Sequence, residues 1–197
     1  MPYEDHRGGP AIVLIQGLDG SSWEQQTPAL LAAGHRVVHH DLPAGYTVDA
    51  LAADLAARLE RWDLTACVLV GASLGTGVVV RCLARYGSAR VRKAVLIAAV
   101  PPFLPRTGDN PDGIDGSAFA DSDVLRTDYR DDLPRIDVPV LLLHGEDDRV
   151  LPIDATANRL PDLIADLRYE VIPAGPHDLA RSHPELVNRY LLDFVAA

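Results

Sequence analysis

The stretch Gly71-Ala72-Ser73-Leu74-Gly75 decides how this chain is interpreted. It lies between an apolar, β-branched run at residues 66–70 and a second apolar run that continues at helical spacing to Tyr86 and stops before Gly87. A short bounded apolar run is typical of a buried strand, and glycine is a favoured residue just beyond the end of a helix. The sequence therefore predicts a strand, a tight turn that carries Ser73, and a helix.

A serine in this strand–turn–helix context is a candidate nucleophile. The turn strains the serine backbone and pushes its hydroxyl out at the carboxyl edge of the sheet, and the glycines on either side let strand and helix approach closely. The backbone N–H of Leu74 then lies at the helix N-terminus, where it can bind an oxyanion. A simpler role, in which Ser73 only caps the helix, is less well supported, because the motif lies in the context that the chemistry requires.

Buried runs and helical patterns alternate along the rest of the chain. Residues 11–15 are apolar without polar alternation, which is typical of a parallel strand covered on both faces. Further strands are predicted at 36–40, 91–100, 138–143 and 167–172, and helices at 27–34, 47–62, 152–163 and 179–195. This order predicts a single α/β domain over residues 1–197, of the doubly wound α/β-hydrolase type, with a mostly parallel sheet of about six strands.

Composition and charge limit the function. The formal net charge of −10 argues against nucleic acid or an anionic membrane as a partner. No apolar run reaches the ~18 residues of a membrane span, and the polar residues 1–10 do not resemble a signal peptide. Cys67 and Cys82 fall in a predicted strand and helix, so buried thiols are expected rather than a disulfide. We therefore expect a cytoplasmic protein.

Two loops near the end of the chain carry the other groups that a serine nucleophile needs. One, residues 144–152, follows a predicted strand, and the other, residues 173–177, follows the last strand. Both leave the carboxyl ends of strands, where α/β sheets place their sites. A serine hydroxyl needs an adjacent base, and the base needs a carboxylate that fixes its tautomer.

His177 is predicted to be the base, and Asp148 to be the acid that orients it. Glu146 and Asp147 compete with Asp148 for this role, since all three lie in the same loop. His144 could support the catalytic residues from behind or be merely structural, and the structural role is favoured. No set of histidine, cysteine and acidic residues has the spacing of a metal site, so no metal is expected.

Several stretches beyond the nucleophile turn carry a family resemblance. They are residues 84–104, 110–113, 127–133 and 175–177. Through them the chain resembles the cofactor-free haloperoxidase and arylesterase family of the α/β-hydrolases.

This resemblance implies a catalytic triad of Ser73, Asp148 and His177, and an oxyanion hole formed by the backbone N–H groups of Leu18 and Leu74. It also implies hydrolysis of a small-molecule acyl substrate through an acyl-serine, with no cofactor. With hydrogen peroxide, such enzymes form peracids that oxidise halide without haem or metal.

The chain departs from the family pattern in ways that affect its chemistry. The helical cap is essentially missing from residues 101–136, so a lid-less site is expected, and hydrolysis should dominate over perhydrolysis. Gln16 replaces a usual histidine, and Asp19 follows the first oxyanion donor and would oppose an oxyanion if it faced the hole. Asp178 replaces a usual glycine after the base and is expected to favour the protonated imidazole.

Four residues are candidates for lining the site: Gln16, Asp19, Phe103 and Phe119. Two other functions stay open. The altered loop at residues 16–19 fits a non-hydrolytic enzyme, such as a lyase, cyclase or isomerase of secondary metabolism. Apolar residues exposed by the missing cap fit a low-turnover binding scaffold, or a homodimer that covers the open site.

Overall fold

The computed structural model describes residues 3–4, 10–17, 23–43, 45–114 and 122–197, with residues 3 and 4 described for their backbone alone. The strands are β1 (Tyr3–Glu4), β2 (Ala11–Ile15), β3 (Arg36–His40), β4 (Cys67–Ala72), β5 (Val91–Ile97), β6 (Val140–Gly145) and β7 (Leu167–Ile172). The α-helices are α1 (Gln26–Ala32), α2 (Val48–Arg61), α3 (Leu74–Tyr86), α4 (Asp123–Arg126), α5 (Leu179–Ser182) and α6 (Pro184–Ala196).

The strands form one sheet in the order β1-β3-β2-β4-β5-β6-β7. Strands β2 to β7 are parallel, and β1 is an antiparallel edge strand on β3. The predicted doubly wound α/β architecture with six parallel strands is therefore confirmed. The chain runs outward from β2 to β3 and then crosses back to β4, so the strand order reverses between β2 and β4. A crevice at the carboxyl ends of the strands is expected at such a reversal.

Two apolar layers cover the sheet. Along β2, Val13 and Ile15 face the layer formed with α2 and α3, whereas Ile12 and Leu14 face the layer formed with α1 and α6. This explains why β2 has no polar alternation, since both of its faces are buried. Among the described residues, no helix combines the length and the apolar character needed to cross a bilayer.

Local polar contacts explain where the predicted helices fit and where they fail. Thr47 caps α2 as expected, because its hydroxyl accepts a hydrogen bond from the Ala50 amide. At Thr27, where the sequence predicts the first helix to begin, the structure differs. Helix α1 begins at Gln26, and the Thr27 hydroxyl instead lies 3.0 Å from the His39 ring.

The predicted helix at 152–163 is also wrong. The structure has two short 3₁₀ helices there, Ile153–Ala155 and Ala157–Arg159. The buried Thr156 hydroxyl donates to the carbonyl oxygens of Leu151 and Pro152, which competes with regular helical hydrogen bonding. The expected buried thiols are present, since Cys67 and Cys82 are both buried and free.

Asn110 holds together the segment between β5 and β6. Its buried side chain donates to the carbonyl oxygens of Phe103 at 2.9 Å and Pro105 at 2.7 Å, and it accepts from Arg159 at 2.6 Å. Within the described part of residues 101–136, the longest helix is the four-residue α4. The seven residues at 115–121, which lie outside the described ranges, are too few for a cap of several tens of residues.

Candidate active site

The nucleophile turn has the geometry that its glycines predict. Ser73 lies between β4 and α3 with φ 50° and ψ −123°, a strained conformation for a residue other than glycine. A Cβ atom on Gly71 would lie 2.8 Å from the Gly75 carbonyl oxygen, and one on Gly75 would lie 2.6 Å from the Ile15 carbonyl oxygen. Glycine is therefore required at both positions, because strand, turn and helix are packed backbone to backbone.

Thr76 fixes this turn to the neighbouring strand. Its buried hydroxyl donates to the Ser73 carbonyl oxygen at 2.6 Å and accepts from the Val100 amide at 3.0 Å. The Ser73 amide in turn donates to the Ile97 carbonyl oxygen at 2.9 Å. Sequence reasoning missed this role, because the partner at residue 100 is known only once β4 and β5 are paired.

The structure brings the three predicted residues of the triad together. Ser73 Oγ lies 2.9 Å from His177 Nε2, and His177 Nδ1 lies 2.8 Å from Asp148 Oδ2. Ser73 and Asp148 are buried, and the His177 side chain is 12% exposed. Because Nδ1 faces a carboxylate it carries the proton, which leaves Nε2 free to accept the serine hydroxyl.

The loop after β6 holds Asp148 as a carboxylate. Its Oδ1 accepts hydrogen bonds from the backbone amides of Val150 at 2.9 Å and Leu151 at 2.8 Å. Burial by itself would raise the pKa of Asp148, but hydrogen bonds from His144, His177 and the Leu151 amide hold that pKa well below its usual range. The side chain is therefore ionised at neutral pH.

Glu146 and Asp147, the other candidates for the orienting acid, are both exposed. Glu146 accepts a hydrogen bond from the Ala174 amide at 3.3 Å. The contact with His177 belongs to Asp148, which resolves the choice that the sequence left open.

The loops that carry the acid and the base are joined to each other. The Glu146 amide donates to the Ile172 carbonyl oxygen at 3.0 Å, and the Asp147 amide donates to the Gly175 carbonyl oxygen at 3.0 Å. A Cβ atom on Gly145 would collide with the Gly175 carbonyl group, so glycine is required there as well. Asp148 follows β6 and His177 follows the adjacent strand β7, so the two residues lie in loops that are hydrogen-bonded to each other.

The oxyanion site is described in part. Leu74 is the first residue of α3, and the first amides of a helix have no acceptor within the helix. Its N–H is therefore placed for an oxyanion beside Ser73. Leu18, Asp19 and Phe119 lie outside the described residues, so their roles stay predictions.

Gln16 and Phe103 are both half-buried. Gln16 follows β2 at the carboxyl edge of the sheet, and its amide donates to the His40 carbonyl oxygen at 3.4 Å. The ring of Phe103 lies under the Arg130 guanidinium, whose carbon is 4.9 Å from the ring centre. Gln16 thus lies at the same sheet edge as the nucleophile turn, whereas the contact with Arg130 gives Phe103 a structural role in the segment between β5 and β6.

Asp178, directly after the base, is held by an arginine. Its Oδ2 lies 2.6 Å from Arg181 Nε, and the Asp178 side chain is 31% exposed. The ion pair offsets part of the negative charge that the sequence placed next to His177.

Comparison with known proteins agrees with the observed fold. Residues 10–125 match the family described as alpha/beta hydrolase fold. The chain belongs to the α/β-hydrolase fold family. Within it, the chain belongs to the haloperoxidase and esterase group, as the resemblance implied.

The relatives extend over nearly the whole chain. The non-heme chloroperoxidase of Streptomyces lividans is 31% identical, with 99% of this chain and 91% of that protein covered. The bifunctional esterase/perhydrolase DCH of Acinetobacter calcoaceticus is 29% identical, with 96% and 92% covered. The crystal structure of bromoperoxidase from Bacillus anthracis superimposes with a TM-score of 0.87 at 30% identity, with 99% and 95% covered.

A protein of Synechocystis sp. from the non-heme chloroperoxidase class is 41% identical, with 98% of this chain and 94% of that protein covered. This alignment spans 258 positions although the present chain has 197 residues. The relative therefore carries several tens of residues that have no counterpart here.

Proposed function

We propose that this α/β-hydrolase hydrolyses small carboxylic esters through an acyl intermediate on Ser73. The observation that carries the proposal is the unbroken hydrogen-bonded series from Ser73 Oγ through His177 to Asp148. Its arrangement fits the roles of nucleophile, general base and orienting acid. Relatives named as esterase/perhydrolase and non-heme chloroperoxidase support the same chemistry.

In this mechanism Ser73 Oγ attacks the ester carbonyl carbon while His177 Nε2 takes the hydroxyl proton. The resulting imidazolium is stabilised by Asp148, and the oxyanion of the tetrahedral intermediate accepts the Leu74 N–H, together with the N–H predicted at Leu18. The intermediate collapses, and the alcohol leaves with the proton from His177. Water then attacks the acyl-serine, again with His177 as base, which releases the acid and restores Ser73.

Hydrogen peroxide can replace water in the second half of this cycle. Attack of peroxide on the acyl-serine gives a peracid and free Ser73, with the proton moving through His177 as before. We propose this as a weak second activity, since a site without a cap admits water freely.

The other functions considered from the sequence are less well supported. A binding scaffold does not need a base 2.9 Å from the serine hydroxyl. A non-hydrolytic enzyme could use the same serine and histidine without an acyl intermediate, but the relatives are named for hydrolytic and haloperoxidase activities. A homodimer over the open site and a cytoplasmic location stay predictions.

Labelling with a fluorophosphonate, followed by peptide mass spectrometry, tests the nucleophile. We expect one adduct, on Ser73, and loss of both labelling and p-nitrophenyl acetate hydrolysis in Ser73→Ala. Asp148→Asn should lower kcat by roughly 10⁴-fold, because His177 would lose its orienting carboxylate. Asp147→Asn, from the same loop, is the matched control and should stay within about twofold of wild type. Hydrolysis that survives in Ser73→Ala would refute the proposal.

A further inference from the structure

His144 lies directly behind the acid of the proposed triad. It is the fifth residue of β6, and its side chain is fully buried. Its Nε2 lies 2.9 Å from the Leu151 carbonyl oxygen and 3.3 Å from Asp148 Oδ2, the same oxygen that contacts His177. Two histidine rings therefore contact one oxygen of the carboxylate.

The partners of this ring determine where its proton is. A carbonyl oxygen and a carboxylate oxygen are both acceptors, so Nε2 must carry a hydrogen. Nδ1 is buried and has no hydrogen-bond partner among the described residues. A hydrogen on Nε2 therefore satisfies the contacts of the ring.

The Asp148 carboxylate thus has donors at both of its oxygens, and together they fix its orientation. The amides of Val150 and Leu151 hold Oδ1, while His144 and His177 share Oδ2. The amide of Leu151 binds Oδ1 while its carbonyl oxygen accepts from His144, so the histidine also fixes the backbone that holds the acid. The Thr156 hydroxyl also lies near the same nitrogen, 3.4 Å from Nε2, and carries no charge.

We propose that His144 is a positioning residue: its Nε2–H holds the Asp148 carboxylate in the rotation that presents Oδ2 to His177. The inference rests on the proposed function for its effect on turnover, but it concerns the contact between Asp148 and His177, which can be observed without turnover. The sequence left open whether His144 supports the catalytic residues or is merely structural, with the structural role favoured, because its distance from the acid depends on how the loop after β6 folds back.

The test compares two polar replacements that differ in reach. In His144→Gln the amide nitrogen can occupy the place of Nε2, whereas in His144→Asn it reaches only the place of Nδ1. His144→Leu removes the donor at similar volume, and His183→Leu, at the N-terminus of α6, controls for the loss of a histidine. Each variant is measured for the pH dependence of kcat/KM with p-nitrophenyl acetate. The downfield proton resonance of the His177–Asp148 hydrogen bond is recorded by NMR.

We expect kcat to fall about tenfold or more in His144→Asn and His144→Leu, with KM nearly unchanged, and to stay within about threefold of wild type in His144→Gln. In the two impaired variants the downfield resonance should broaden or move upfield. The acid limb of their pH profile should move to lower pH, because a misplaced carboxylate stabilises the imidazolium less. His183→Leu should resemble wild type in all of these measurements.

A wild-type resonance and pH profile in His144→Asn would overturn the inference, and so would equal impairment of the Gln and Asn variants. If the wild-type protein hydrolyses no ester, the proposed function fails on its own, and the NMR comparison still decides the role of His144. If His144→Leu does not fold, the Gln and Asn pair carries the test.

Discussion

At the scale of single residues, the effect of Asp178 on the protonation of His177 depends on the ion pair between Asp178 and Arg181. Asp178 would favour the protonated form of His177, but Arg181 occupies one of its oxygens at 2.6 Å. The Arg181 side chain is 78% exposed, so the pair is well screened by solvent. The charge next to the base is therefore present but weakened.

Removing the arginine should reveal that charge. In Arg181→Gln we expect the acid limb of the kcat/KM profile to move to higher pH by less than about half a unit, since the pair is exposed. Asp178→Gly should move it to lower pH, as the sequence predicts. Both shifts should shrink in high salt. Profiles that coincide for all three proteins would show that Asp178 has no influence on the base.

At the scale of elements, the turn between β4 and α3 depends on a hydroxyl that takes no part in the proposed chemistry. Thr76 connects the Ser73 carbonyl oxygen with the Val100 amide and so joins α3 to the end of β5. The position of the nucleophile is thus set by two strands rather than by its own strand alone.

Thr76→Val should destabilise the protein by about 1–3 kcal/mol, because the Val100 amide would be buried without an acceptor. It should also lower kcat, because the Ser73 carbonyl oxygen would lose the Thr76 hydroxyl and keep only the Thr76 amide as a donor. Thr76→Ser keeps the hydroxyl and is the control. Urea unfolding monitored by fluorescence, with kcat measured in parallel, checks both effects. Equal stabilities of the Val and Ser variants would show that the hydroxyl contributes little.

At the scale of the whole molecule, the connection between β5 and β6, whose longest described helix has four residues, should determine the balance of products. A site without a helical roof leaves the acyl-serine open to bulk water, so water should outcompete peroxide. In assays with p-nitrophenyl acetate and hydrogen peroxide we expect much more acetic acid than peracetic acid. A predominance of peracid would show that the site selects peroxide without a cap.

Stability of the whole molecule should fall in mild acid, since His40 is buried with no hydrogen-bond partner for either ring nitrogen among the described residues. Burial, and then the nearby Arg58, lower the pKa of His40 to about 4, against the opposing effect of Asp54 and Asp41. The unfolded chain takes up this proton near pH 6.5. Stability is therefore lost as the pH falls from about 6.5 to 4, by up to about 3 kcal/mol.

Urea unfolding at pH 7.5 and pH 4.5 measures this loss. His40→Leu should show a smaller drop between the two pH values than wild type, and His183→Leu should show the same drop as wild type. An unchanged pH dependence in His40→Leu would mean that other groups, such as the paired carboxylates, account for the acid sensitivity.

The choice of Asp148 over Glu146 and Asp147 needed the family resemblance, but local patterns in the sequence were sufficient for the parallel strands, the nucleophile turn and the proposed base His177. These depend on apolar runs, on glycines and on the rule that loops at the carboxyl ends of parallel strands meet. Features that depend on pairing across the fold were not predictable. The two-residue β1 exists only through its pairing with β3, and the Thr156 hydroxyl breaks a helix that its neighbours favour.

The backbone hydrogen bonds between the loops after β6 and β7 should make the proposed acid and base move together. The serine stands on β4, with β5 in between, so its contact with the imidazole crosses a wider span of the sheet than the contact between imidazole and carboxylate. Warming that loosens the sheet should therefore first separate the hydroxyl from the ring, while the ring travels with its carboxylate. At such a temperature the contact between His177 and Asp148 would remain, but Ser73 would lie out of reach of the base. Cooling should then restore activity without any rearrangement of His177 and Asp148.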